Sequence, residues 1–166
     1  MRVVVERDGE AGARGAVTVL DLTDLRFFEG IPPWALERFA SSARKVRLEA
    51  GDVIVRQNDE ARAAFFLLSG KAQVLVYFEG VGDLLMGVQR DPGSLLAFSA
   101  FRAPYRHTSS VRCEEPSELL RVPREAFEEL FEEDPYLGYL ILKKVATAMD
   151  VRLAGTLAFL EAPGEL

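Results

Sequence analysis

Chemistry that needs an imidazole has one candidate in this chain, His107, and chemistry that needs a thiol has one, Cys113. A lone thiol can form no internal disulfide and no thiolate cluster for zinc, which fits a reducing, cytoplasmic setting. Serine–histidine–acid catalysis would have to use His107 with Ser109 or Ser110, yet no nucleophile-elbow glycines surround these serines. The paired carboxylates Glu128 and Glu132 lie in a strongly acidic stretch with no apolar surroundings to raise a carboxyl pKa. Gly9, Gly12 and Gly15 lack the lysine and hydroxyl of a phosphate-binding loop and form no dinucleotide fingerprint. These residues point to a sensing or binding module without a cofactor or metal, and not to an enzyme.

Charge narrows the partner classes. Twenty Lys and Arg against 26 Asp and Glu leave a net charge of -6, which repels phosphate backbones unless the cations gather on one face. No such cluster exists, and the most lopsided stretch, Pro123 to Pro135, is acidic. DNA and RNA are therefore not expected partners. No run approaches the eighteen or so apolar residues of a membrane span, and charges interrupt the start at Arg2 and Glu6 before any signal-peptide core could form.

The elements that must position these side chains fall into three regimes. Before Thr23, Val3–Val5 and Val17–Leu20 read as short β runs around the glycine-rich stretch from Gly9 to Gly15, so residues 1–22 are expected to form an N-terminal extension or hairpin. Residues 23–166 then read as one domain. Leu25, Phe28 and Ile31, followed by Leu36, Phe39 and Ala40, predict two short helices joined at Gly30.

Eight strands follow: Val46–Leu48, Val53–Val55, Ala64–Leu68, Ala72–Tyr77, Leu84–Gln89, Leu95–Phe98, Ser109–Cys113 and Glu118–Val122, each bounded by turn-forming residues. Such spacing predicts a mainly β fold, an eight-stranded jelly roll or double-stranded β-helix, with short helices before it and a long one after. Phe127, Leu130 and Phe131 mark a helix after Pro123, and Asp134-Pro135 restarts the chain. Leu142, Val145, Met149, Leu153, Leu157 and Leu160 stripe a helix over 136–161, which at 1.5 Å per residue runs about 39 Å and overhangs a small roll. An overhanging apolar stripe predicts a homodimer through this helix; folding back as a lid is the other reading.

Three stretches carry a likeness. Phe27 to Leu36, Leu48 to Glu60 with Gly51-Asp52 and Asn58-Asp59, and Phe65 to Val74 with Ser69-Gly70 together resemble the cyclic-nucleotide-binding domain of catabolite-activator-type regulators, kinase regulatory subunits and gated channels. The likeness continues through Asp91 to Ser99 and Tyr105 to Cys113 to the helices beyond Val122, covering about residues 23 to 160. Asn58 replaces the glycine usual before the aspartate of that turn, and asparagine tolerates the left-handed backbone needed there. Transcription factors of this kind carry a helix-turn-helix after the long helix. None follows before Leu166, so the resemblance implies a stand-alone module that signals to a separate protein effector.

The resemblance also implies a ligand, cyclic AMP or cyclic GMP, held by a phosphate cassette of glycine, glutamate, several residues, then arginine and a hydroxyl residue. Forked guanidinium and helix-end N–H groups suit phosphate oxygens. Here Ala97 stands at the glycine position and Phe98 at the glutamate position, and a phenyl ring accepts no hydrogen bond from a ribose hydroxyl. An ungapped count puts His107 at the arginine position and Thr108 at the hydroxyl position; a shift of one puts Arg106 there, and only strand register decides. Two readings follow. In one, an altered pocket uses Ser99, Arg106 or His107, and Thr108 for an anion, with Phe98 and Ala97 lining it. In the other, Phe98, Phe101 and Tyr105 fill the pocket, and the roll is a dimeric interaction or structural domain with no small-molecule ligand. An enzyme of another β-roll class, such as a cupin, would need several convergent imidazoles that one histidine cannot supply.

Overall fold

The computed structural model describes residues 15–161, so Val3–Val5 and most of the glycine-rich stretch lie outside the described residues. Helix α1 (Val19–Thr23) opens the described chain behind a capping box. The Thr18 hydroxyl accepts from the Asp21 N–H, and the Asp21 carboxylate accepts from the Thr18 N–H. This corrects the β reading of Val17–Leu20: the cap outweighs the β-branched composition, and Val17 and Leu22 enter the core. A single 3-10 turn, Arg26–Phe28, and helix α2 (Pro33–Ser42) follow, with Gly30 at φ +78° between them. The first of the two expected helices after Thr23 is thus one 3-10 turn.

Strands β1 (Arg44–Leu48), β2 (Val53–Val55), β3 (Ala63–Ser69), β4 (Ala72–Phe78), β5 (Gly82–Gln89), β6 (Ser110–Cys113) and β7 (Ser117–Pro123) build two antiparallel sheets. Their orders are β1-β7-β3 and β2-β6-β4-β5. The expected strand Leu95–Phe98 does not form among the described residues. Leu95 makes one isolated bridge with Phe66, and the Leu96 N–H donates to the Phe65 carbonyl at 2.8 Å. Phe98 then takes helical dihedrals (φ -88°, ψ -18°) and leads the chain into a 3-10 turn, Ser99–Phe101, which ends the pairing.

The run Ala63–Leu67 shows no polar alternation because both faces of its sheet are covered. Ala63, Phe65 and Leu67 point into the roll with Val46, Ile54, Leu96, Ala97, Val111 and Leu119. Ala64 and Phe66 point the other way, joining Leu120 and Val122 under Phe27, Phe28, Phe39 and Phe127 from the helical layer. Phe66 lies 4.9 Å from Phe27 and 5.1 Å from Phe28, centroid to centroid. One sheet therefore serves two cores.

Helix α3 (Arg124–Glu133) starts directly after Pro123, its N-cap residue. The Asp134 carboxylate then caps helix α4 (Pro135–Glu161) by accepting from the Leu137 N–H at 2.9 Å. Leu137, Gly138, Ile141 and Val145 bury the first half of α4. Gly138 permits the close crossing with α3, since a Cβ there would stand 3.0 Å from the Phe131 ring. Beyond Val145 the helix runs on across the roll. No described helix is long and apolar enough to cross a membrane.

Candidate functional site

Beneath the second half of α4 the roll encloses a cavity of about 130 Å³. Its floor is apolar: Val55 from β2, Val74 from β4 and Val111 from β6, with Leu96, Ala97 and Phe98 from the segment beside β3. Its polar wall is Ser99, His107, Thr108 and Ser109, and its roof is Arg152 and Thr156 from α4. No carboxylate lines it among the described residues.

Two turns set this geometry. Phe98 is the last residue before the Ser99–Phe101 turn, so Ser99 comes to rest 5% exposed at the cavity edge. The chain returns through Tyr105, which holds φ +54°, and is fixed on the Asn58-Asp59 turn. There the Ala61 N–H donates to the Tyr105 carbonyl at 2.6 Å, the His107 N–H to the Asp59 carbonyl at 3.0 Å, and the Asn58 N–H to the His107 carbonyl at 2.8 Å. Asn58 takes φ +72°, the left-handed backbone expected of it. The Arg124 guanidinium stacks 4.5 Å above the Tyr105 ring and donates to the Ala61 carbonyl at 3.1 Å, tying the returning loop to α3.

This register separates the two candidate cations. Arg106 bridges Glu60, is exposed, and donates its guanidinium to the Asn58 carbonyl at 2.8 Å, outside the cavity lining. His107, the next residue, points the opposite way; it is 3% exposed and lines the cavity. Ala97, Phe98, Ser99, His107 and Thr108 are thus brought together, and Arg106 is not among them.

The cation that does reach the cavity is Arg152, which sequence reasoning missed. Its guanidinium sits 4.9 Å over the Phe98 ring and donates to the Leu95 carbonyl at 2.6 Å. Burial holds its pKa down at about 10, because taking the charge out of water disfavours the charged form. No carboxylate pairs with it among the described residues. The available signal was its position: Arg152 is the one charge between Asp150 and Glu161, in a run otherwise uncharged. Arg152 and Thr156 also line a wider groove of about 970 Å³, between α4 and the segment from Met86 to Leu95, so the Arg152 side chain stands where cavity and groove meet. The cavity itself falls below the 300 to 1,000 Å³ or so of pockets that enclose drug-sized ligands. Among the described residues there is no cluster of His, Cys, Asp and Glu that could hold a metal ion.

The likeness to known proteins runs through the same elements. A family model described as the cyclic nucleotide-binding domain matches residues 45–134. The acetyltransferase Pat of Mycolicibacterium smegmatis is 31% identical over 100 residues, which cover 60% of this chain and 29% of Pat; the chain thus spans under a third of that relative's length. A Geobacter metallireducens protein, provisionally described as a cyclic nucleotide-binding protein, superposes with a TM-score of 0.70 at 26% identity, covering 82% of this chain and 98% of that one. The sensor domain of the transcriptional regulator DNR from Pseudomonas aeruginosa shares the fold, with a TM-score of 0.66 at 20% identity over 87% of this chain and 93% of that one. Because the matched stretch takes in more than half of the chain, from β1 to the end of α3, the chain belongs to the cyclic nucleotide-binding domain family.

Proposed function

We propose that this domain is a sensor in which occupancy of the roll cavity sets the position of the second half of α4, and that α4 passes the signal to a protein partner. The observation that carries the reading is that α4 supplies Arg152 and Thr156 to the same cavity that Phe98, Ser99, His107 and Thr108 line. A ligand there must touch the helix or displace it, so binding free energy and helix position are linked. The roles of Ala97, Phe98, Ser99, His107 and Thr108 as ligand contacts belong to this proposal, and Arg106 takes none in it.

A homodimer through α4 is part of the same proposal. Leu142, Met149, Leu153, Leu157 and Leu160 are between 43% and 59% exposed. They repeat on a helical face about 100° around the axis from Arg152, so one face of α4 lids the cavity while another offers an apolar seam to a second copy. Lid and seam are not exclusive.

Calorimetric titration with cyclic AMP and cyclic GMP tests the sensor reading on the family's own ligands. Saturable micromolar binding, with a rise in melting temperature, is the outcome for a working nucleotide pocket. The second reading is that of a roll with no small-molecule ligand, and Phe98 and the small cavity favour it. The absence of both heat and a melting shift at millimolar nucleotide supports that reading as far as nucleotides are concerned.

A further inference from the structure

We infer that the cavity is a site for a compact anion, a carboxylate or phosphate of a few heavy atoms, whose charge partner is Arg152 of α4 and not a residue of the cassette loop. The inference rests on the sensor reading and names the ligand class and the direction of the response.

The lining decides the sign of the ligand. One guanidinium faces four hydroxyl side chains, Ser99, Thr108, Ser109 and Thr156, and the His107 imidazole, with no carboxylate among the described lining residues. Hydroxyl groups turn their hydrogens toward an anion without cost in charge, and a guanidinium has five N–H donors, of which the Leu95 carbonyl takes one at 2.6 Å. A partly buried cation without a counter-ion is an unbalanced element that a bound anion would complete. The depressed pKa of Arg152 agrees: desolvation is its cause, and no opposing charge offsets it.

The volume decides the size. About 130 Å³ holds a few waters or one small molecule, and the Phe98 ring with Val55, Val74 and Val111 offers an apolar wall to a short hydrocarbon body. The wider groove that shares Arg152 gives a route inward. Since the cation comes from α4, an anion between Arg152 and the roll fastens the second half of the helix down, and its departure loosens the helix.

The test is a calorimetric and thermal-shift titration of the full chain with inorganic phosphate, butanoate and cyclic AMP, in a buffer of low anion content. Saturable binding of phosphate or butanoate is expected. Arg152→Gln should weaken it at least tenfold, Arg152→Lys, which keeps the charge but loses the fork, less so, and Arg106→Gln by less than twofold. If Arg152→Gln does not fold, as judged by circular dichroism, the Arg152→Lys and Arg106→Gln comparison carries the test. Binding that is indifferent to every Arg152 substitution overturns the inference. Saturable binding of cyclic AMP alone overturns it too but leaves the sensor reading standing, and silence from all three ligands overturns both.

Discussion

At the scale of single residues, the cavity sets an aromatic ring from the roll against a cation from α4. Phe98 stands where a carboxylate is expected, and its ring is covered by Arg152. Phe98 was legible in sequence as a departure from the glutamate that the resemblance implies. The Arg152 contact was not, because the helix position that reaches the cavity depends on how α4 crosses the roll. Cys113 is a simpler case. It is 1% exposed, and burial pushes its thiol pKa up to about 11. In the unfolded chain the thiol titrates near 8.5. The native thiol therefore holds its proton more tightly, and the stability this contributes is present below pH ~8.5 and lost as pH rises toward 11. Comparing wild type with Cys113→Ala in urea melts from pH 7 to 10.5 should show a steeper decline for the wild type. At pH 8 a thiol reagent should modify Cys113 only as fast as the chain unfolds.

At the scale of elements, turns and caps explain both what sequence reasoning found and what it missed. The Asn58 and Gly70 turns were readable because their residue types match their backbone: φ is +72° at Asn58 and +95° at Gly70. Gly70 has a second reason, since a Cβ there would come within 2.7 Å of the Pro116 carbonyl oxygen and the Ser117 Cα. Gly70→Ala should cost about 2 kcal/mol or more in denaturant unfolding, whereas Gly80→Ala, whose added Cβ meets nothing within 4 Å, should lose only the smaller cost of its positive φ. The strand reading of Leu95–Phe98 failed at its end because apolar residues that bury well do so in a 3-10 turn as readily as in a strand, and periodicity over four residues cannot separate the two. Val19–Thr23 is helical and not β because the Thr18–Asp21 capping box overrides the β-branched composition of Val17–Leu20. The choice between Arg106 and His107 could not be made from sequence at all. It is set by hydrogen bonds with Asn58, Asp59 and Ala61, residues more than forty positions away.

At the scale of the whole molecule, the central feature is a helix with one face toward the cavity and an exposed apolar face. The stripe expected from Leu142 to Leu160 holds except at Val145, and its length did not tell whether it met a second copy or the roll. Val145 faces inward with Leu137 and Ile141, while Leu142, Met149, Leu153, Leu157 and Leu160 face outward. Leu153→Asp places a charge in the middle of the outward seam, and sedimentation should find a dimer for the wild type and a monomer for the variant. A dimer persisting in that variant would remove α4 from the interface. Since Leu153 does not line the cavity, the same variant should keep its ligand affinity within a few-fold.

The coupling of cavity to helix is tested most directly by hydrogen–deuterium exchange along α4, in the wild type and in Arg152→Gln, without any ligand. If Arg152 fastens the helix through the Leu95 carbonyl and the Phe98 ring, its loss should speed exchange after Val145 at least fivefold while the buried turns from Leu137 to Val145 stay protected. Equal exchange in both proteins over the second half of α4 would contradict the account, because the helix would then hold its place without regard to the cavity beneath it.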